Sequence, residues 1–240
     1  MKAVILAAGK GSRIGHLTKN TPKSMLKLND KHTLLSYNFM QIKECGIDSV
    51  ILITGYCSNK LEEYSINLSK KYNLKVDIVY NPFWNNCNVL GSFYLCLDKI
   101  DDDFMFFHAD TIMDIKVVEE LLLSKDDVCL AVDFKKCGEE EMKIWLNKGR
   151  IYRITKDDIG REAQGEFLGI AKFNKKMINY FIEKSEEIFK SGILNSYMEE
   201  ALDQGLISKN IKVDFFNASS YKSIEIDFIE DLKKARKMFK

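Results

Sequence analysis

The sequence predicts an α/β protein of three layers, α/β/α, in which helices cover both faces of a mostly parallel central sheet. Through the first half of the 240 residues, short runs of β-branched residues alternate with segments of helical periodicity. That alternation is typical of consecutive β-α-β units. The second half adds a hairpin pattern and two helical stretches. We therefore expect one domain that carries a small hairpin and helical insertion.

The strands are predicted from β-branched and aromatic runs that end at glycine, asparagine or proline. Residues 104–107 are apolar at every position, as in a strand buried on both faces. Residues 143–156 alternate between polar and apolar around Asn147-Lys148-Gly149, which indicates a hairpin. The remaining predicted strands are residues 4–6, 50–53, 76–79, 166–173, 211–215 and 221–226.

The helices are predicted from apolar residues that recur at the helical period. They cover residues 34–45, 58–72, 90–97, 175–190, 194–204 and a charged amphipathic segment from Asp227 onward. A helix is also expected after Thr111-Ile112-Met113-Asp114. With two prolines in the chain and no Pro/Ser-rich tract, we expect no flexible linker.

Composition excludes several classes of function. Lys and Arg total 36 against 35 Asp and Glu, a net charge of +1 with no basic stripe, so we expect no nucleic-acid partner. The six cysteines include no C-x-x-C pair and are expected to be reduced thiols. The apolar N-terminal run is too short for a signal sequence or a membrane span. The sequence thus predicts a cytoplasmic protein without a membrane partner.

A glycine loop follows the first predicted strand. It reads Leu6-Ala7-Ala8-Gly9-Lys10-Gly11-Ser12-Arg13, and Thr21-Pro22-Lys23 comes soon after it. Ligands of open parallel sheets bind at this edge, and small residues let backbone N–H groups approach a triphosphate. Arg13 offers a planar fork to phosphate and Lys23 a point charge. We expect both side chains to act in catalysis.

Two other phosphate loops do not fit this segment. The Walker pattern requires Lys and then Ser or Thr after its second glycine, whereas Gly11 is followed by Ser12-Arg13. The dinucleotide pattern requires a third glycine or alanine where Ile14 stands. The loop therefore predicts a different kind of nucleotide site.

Three carboxylates are candidate metal ligands. Asp110 follows the buried strand at 104–107, and Glu225 and Asp227 lie two residues apart near the last helix. Mg²⁺ prefers a few carboxylates together with phosphate oxygens and water. Asp227 also fits a capping box for the last helix. We expect the side chain of His108 to point to the opposite face from Asp110.

The chain resembles a family of nucleotidyltransferases that activate sugar phosphates and small alcohol phosphates. The glycine loop resembles the signature of that family, residues 81–92 its base and ribose loop, and Asp110 and residues 223–227 its metal-binding segments. The resemblance is greatest to the cytidylyltransferases for phosphocholine or 2-aminoethylphosphonate. It implies a Rossmann-like nucleotidyltransferase fold, with a nucleotide-binding part at about 1–133, an acceptor-side part at about 134–222 and a closing helix at 227–238.

The same resemblance implies the binding residues. For the nucleotide these are Leu6, Ala7, Ala8, Gly9, Gly11, Ser12, Arg13, Lys23, Asn88, Gly91 and Ser92; for the acceptor they are Lys156 and Glu166. Lys156 would contact the acceptor phosphate, and Glu166 would favour a cationic acceptor. Trp84, Trp145 and Tyr197 are candidates for the aromatic face of a cation pocket.

The expected activity is transfer of a cytidylyl group from CTP to a small phosphorylated amino-alcohol, with Mg²⁺ as cofactor. A phosphate monoester is already largely dianionic near neutral pH, so no general base is required. A sugar-1-phosphate or polyol-phosphate nucleotidyltransferase using UTP, dTTP or CTP stays open, as do a glycosyltransferase and a nucleotide-binding regulatory subunit. A homodimer is left open as well.

Overall fold

Strands and helices alternate through the first half of the computed structural model, which describes all 240 residues. The eleven strands are β1 (Lys2–Leu6), β2 (Ser49–Thr54), β3 (Lys75–Tyr80), β4 (Phe104–His108), β5 (Thr111–Met113), β6 (Val128–Asp133), β7 (Lys143–Asn147), β8 (Arg150–Thr155), β9 (Gly165–Phe173), β10 (Asp214–Asn217) and β11 (Ser223–Glu225). The seven α-helices are α1 (Leu34–Glu44), α2 (Ser58–Tyr72), α3 (Val89–Tyr94), α4 (Ile115–Leu123), α5 (Met177–Lys190), α6 (Met198–Ile207) and α7 (Ile229–Met238). None of these helices combines the length and the apolar character that a membrane crossing needs.

The central sheet runs in the order β10-β6-β9-β4-β1-β2-β3, with the β7–β8 hairpin attached to β9. β1 pairs in parallel with β2 and β4, and β2 pairs in parallel with β3. β10 pairs in parallel with β6, and β9 runs antiparallel between β4 and β6, so the sheet is mixed, with parallel pairs in the majority along this order. The chain reaches β9 from the hairpin without a crossover helix, and antiparallel pairing needs none.

Alternate residues of the central strands pack into two separate cores, because successive side chains point to opposite faces of a sheet. Phe104 and Phe106 belong to a core with α3, α5 and α6, whereas Met105 and Phe107 belong to one with α1, α2 and α4. The predicted three-layer architecture is thereby confirmed. A third, smaller core packs α7 against Leu28 and Ile226.

Most predicted elements are present with bounds shifted by up to three residues. The larger differences are the start of α6 and the two unpredicted strands, β5 and β6. α6 begins at Met198, four residues after the predicted start. β6 was not predicted, although all of its residues except Asp133 are buried. The hairpin turn is confirmed, since Lys148 (φ 50°) and Gly149 (φ 76°) both adopt positive φ, as a two-residue hairpin turn requires.

Candidate active site

A cleft of about 350 Å³ opens beside the carboxyl ends of β1 and β4. All but one of the predicted nucleotide-binding residues line it, namely Leu6, Ala7, Ala8, Gly9, Gly11, Ser12, Arg13, Lys23, Asn88 and Ser92. The predicted metal ligands Asp110, Glu225 and Asp227 line it too, as do Lys156 and Tyr197. The fold therefore brings together residues that are more than two hundred positions apart.

Gly11 explains how the glycine loop positions Lys23. Its backbone is left-handed, with φ 63° and ψ 42°, a conformation that glycine adopts without strain. A Cβ at this position would lie 2.9 Å from Cβ and Cδ of Lys23. The lysine stem therefore packs directly on the glycine backbone, which directs its ammonium group into the cleft.

Two cations and three carboxylates form a network in the cleft. Nζ of Lys23 donates to Oδ2 of Asp110 at 2.7 Å and to Oδ1 of Asp227 at 3.0 Å. The Arg13 guanidinium lies 3.1 Å from Asp227, through Nη2, and 3.6 Å from Glu140, through Nη1. These are the positive groups that a triphosphate would meet on entering the cleft.

Burial alone would lower the pKa of Lys23, but the charges of Asp110 and Asp227 outweigh it and raise that pKa. Burial alone would likewise raise the pKa of Asp110, but the charge of Lys23 holds it below its usual value. Both groups are therefore ionised at neutral pH.

One potential ligand atom each from His108, Asp110 and Glu225 lies within 4.8 Å of the others. Withdrawal from water and the charge of Asp110 raise the pKa of Glu225 to about 7. The ammonium of Lys23 bridges Asp110 and Asp227, so this cluster of acids is already compensated by a cation. Carboxylate oxygens from Asp110 and Glu225, completed by phosphate oxygens and water, suit Mg²⁺, and the residues present fit such an ion.

The prediction that His108 points away from Asp110 is wrong, because both side chains line the cleft. Residues two positions apart share a face of a strand, and β4 ends at His108 itself. The capping role of Asp227 is also wrong. α7 begins after Phe228, and Asp231 accepts the hydrogen bond from the backbone N–H of Phe228 at 2.9 Å. Asp227 faces Lys23 instead.

Asn81 organises the loop that leads to Asn88. It is fully buried, donates to Oγ of Ser92 at 2.9 Å and accepts from the backbone N–H of Phe83 at 2.7 Å. Gly91 is not a cleft residue; a Cβ there would lie 2.8 Å from Cβ and Sγ of Cys87. Its role is close packing within this loop.

Two of the predicted acceptor-binding residues lie outside the cleft. Trp145 is 1% exposed, and its indole N–H donates to the carbonyl of Arg161 at 2.9 Å, so its ring packs in the core. Glu166 forms an ion pair with Lys135 at 2.6 Å between Nζ and Oε2. Neither residue lines the cleft, and we correct both assignments.

Glu199 is a buried acid of the cleft. It lines the cleft but is only 1% exposed, and its Oε2 has no hydrogen-bond partner. Burial raises its pKa, against the charges of His108 and Lys156. The ring of Tyr197 lies 4.8 Å from Nζ of Lys156. Glu199 was not among the predicted site residues; the signal that could have found it is an acid among the apolar residues of the predicted helix.

The three-layer fold, with a glycine loop and a carboxylate cluster at one sheet edge, defines a nucleotide-handling α/β protein. Residues 3–157 match the MobA-like NTP transferase domain, and the chain belongs to that family. It is a nucleotidyltransferase.

Several relatives match along almost their whole length. The CTP:phosphoglutamine cytidylyltransferase of Campylobacter jejuni is 23% identical over 97% of this chain and 98% of its own. The choline-phosphate cytidylyltransferase of Streptococcus pneumoniae is 26% identical over 100% of this chain and 99% of its own. The solved structure of the CTP:phosphocholine cytidylyltransferase from Streptococcus pneumoniae has a TM-score of 0.80, at 23% identity, and covers 100% of this chain and 99% of that one. A heptose 1-phosphate guanylyltransferase of C. jejuni is 30% identical over 72% of this chain and 84% of its own.

Proposed function

We propose that the chain transfers a cytidylyl group from CTP to a small phosphate or phosphonate that carries an ammonium group. The observation that carries the acceptor class is Glu199, a buried carboxylate that faces the cleft with one oxygen unpartnered. Cytosine as the base is supported by the names of two relatives that match along the whole chain.

In this reaction an oxygen of the acceptor phosphate attacks the α-phosphorus of CTP. The new O–P bond forms as the bond from the α-phosphorus to the bridging oxygen of the β-phosphate breaks, and pyrophosphate carries away that electron pair. Arg13 and Lys23 neutralise charge on the triphosphate and on the departing pyrophosphate. The backbone of the glycine loop holds the triphosphate in line with the acceptor.

Asp110, Asp227 and Glu225 would hold Mg²⁺, which supplies further neutralisation of the phosphate oxygens when bound. Lys156 lines the cleft beside Tyr197, and its ammonium would bind the acceptor phosphate. The acceptor needs no proton removed if it arrives as a dianion, which agrees with a cleft whose one histidine is His108.

The ammonium preference follows from the cost of burying charge. A carboxylate withdrawn from water is unfavourable unless a cation or hydrogen-bond donors compensate it. An acceptor ammonium near Glu199 would supply that charge, and the Tyr197 ring would offer it an aromatic face. The two residues lie two positions apart at the start of α6.

A sugar 1-phosphate acceptor is the second candidate. The heptose 1-phosphate guanylyltransferase relative favours it, and sugar hydroxyls would also donate to Oε2 of Glu199. A sugar would add no positive charge to the carboxylate of Glu199, whose nearest basic group is the imidazole of His108, 4.0 Å away between Nε2 and Oε1. The ammonium acceptors therefore come first.

The test is a comparison of kcat/KM with CTP for phosphocholine, 2-aminoethylphosphonate, glycerol 3-phosphate and glucose 1-phosphate. An ammonium on an aromatic face can contribute about 2 kcal/mol, which corresponds to about thirtyfold in selectivity. We expect Glu199→Gln to erode the preference for the two ammonium acceptors. The matched control is Glu200→Gln, since Glu200 is exposed and lies outside the cleft. A sugar or polyol phosphate as the best acceptor would contradict the proposed class.

A further inference from the structure

A second large depression lies apart from the active-site cleft and shares no lining residue with it. It encloses about 1040 Å³ and is formed by the loop before α1, the start of α4 and the C-terminal end of α7. We call it the basic groove. Its positive residues are Lys27, Lys31, Lys222, Arg236 and Lys240.

The basic groove carries more positive than negative charge. None of its five cations lies within 4.0 Å of a carboxylate, although ion pairs are frequent elsewhere in the chain. Two acids, Asp30 and Asp114, share the groove. The side chain of Asp114 is engaged at the start of α4, where it accepts from the backbone N–H of Lys116 at 3.0 Å. A concentration of positive charge thus remains, in a chain whose net charge is only +1.

The wall of the groove is aromatic and apolar. Tyr37 packs edge-on against His32, with ring centroids 5.9 Å apart, and against Phe239, at 5.6 Å. Leu28 and Met238 line the same depression. Cations beside an apolar, aromatic wall suit a ligand with several negative charges and one flat, weakly polar part.

The loop that carries two of the cations is held in shape. Asn29 accepts through its side-chain oxygen from the backbone N–H groups of Lys31 and His32, both at 2.9 Å. Its amide donates to the carbonyl of Phe239 at 2.8 Å, and Arg236 donates to the carbonyl of Lys27 at 2.9 Å. These hydrogen bonds tie the loop before α1 to the C-terminal end of α7.

We propose that the basic groove is a second ligand site, separate from the catalytic cleft, for a small molecule that combines two or more phosphate groups with a flat ring. A nucleoside diphosphate has this chemistry. The proposal does not depend on which acceptor the enzyme uses.

The test is calorimetric titration of the protein with ADP in low-salt buffer. We expect binding that weakens as KCl is added, because exposed charges are screened by salt, and much weaker binding of adenosine. Lys27→Glu/Lys31→Glu should lower the affinity for ADP at least tenfold, since an exposed charge contact is worth about fivefold and both contacts change sign. Lys23→Ala, which perturbs only the catalytic cleft, should leave this binding in place.

The matched control is Lys233→Glu/Lys237→Glu, which makes the same change of charge at two exposed positions of α7 outside the groove. It should bind ADP like the wild type apart from a small long-range effect. Far-UV circular dichroism checks the fold of each variant, and Lys222→Glu serves if the double variant is unfolded. No binding to the wild type, or binding that Lys23→Ala removes and the groove variants keep, would overturn the proposal.

Discussion

Lys23→Met removes the one ammonium that bridges Asp110 and Asp227, and it leaves a side chain of similar length. Without that cation, Asp110, Asp227 and Glu225 face one another in the cleft with only Arg13 and His108 as basic neighbours. We expect two effects: the metal-free protein should lose stability, and turnover should fall sharply.

Breaking a fully buried ion pair costs about 3–5 kcal/mol. The Asp110 and Asp227 side chains keep 26% and 24% of their exposure, so solvent screening reduces this to about 2–3 kcal/mol. For a chain of this size the loss corresponds to a decrease in Tm of about 5–10 °C. Loss of a donor to developing charge typically lowers turnover ~10²–10³-fold.

The assay is thermal unfolding in EDTA and in excess Mg²⁺, together with pyrophosphate release. Mg²⁺ should stabilise Lys23→Met more than the wild type, because the carboxylates no longer have a competing internal cation. Lys27→Met, at an exposed and unpaired position, is the matched control. Equal Tm values for Lys23→Met and the wild type in EDTA, or near-normal turnover, would refute this account of the network.

Three further predictions separate the roles of other residues. Gly11→Ala should lower the free energy of unfolding by about 1–2 kcal/mol, because the backbone there is left-handed and the new Cβ would lie 2.9 Å from Lys23. Gly9→Ala is its control: a Cβ there meets nothing within 4 Å, so the free energy of unfolding should change by under about 0.5 kcal/mol. The pKa of Glu225 is raised to about 7 from an ordinary 4.5, so between these pH values the folded metal-free protein keeps a proton that the unfolded chain has lost. Stability should therefore fall as pH rises between those values. In urea unfolding at pH 5 and pH 8 in EDTA, Glu225→Gln should be more stable than the wild type at pH 8 only. Trp145→Phe should cost about 2 kcal/mol through lost packing and the lost hydrogen bond to Arg161 without changing the KM of the acceptor, and a raised KM would return Trp145 to the acceptor site.

The sequence pattern was sufficient to place those functional residues that directly follow a predicted strand. The glycine loop follows β1 and Asp110 follows β4, and parallel strands bring both to one sheet edge, so the nucleotide side of the cleft could be placed from the sequence. This placement needs only the direction and adjacency of neighbouring strands.

The acceptor side depends on contacts that no local pattern encodes. Glu166 is neutralised by Lys135, a residue from beyond the end of β6, and β6 was not predicted. Trp145 and Tyr197 were both candidates because each has an aromatic ring. Trp145 is buried in the hairpin, whereas Tyr197 lines the cleft. Glu199 was not predicted, because its place in the cleft depends on how α6 packs against the sheet, which the sequence of α6 alone does not give.

The most direct test of nucleotidyl transfer by this protein is ³¹P NMR of the protein with CTP, Mg²⁺ and phosphocholine or 2-aminoethylphosphonate. Nucleotidyl transfer predicts a new diphosphate-bridged product and pyrophosphate in equal amounts, with neither formed when the acceptor is omitted or when Mg²⁺ is chelated. CTP that stays intact with every phosphorylated acceptor, or that is hydrolysed to CMP without one, would contradict the claim.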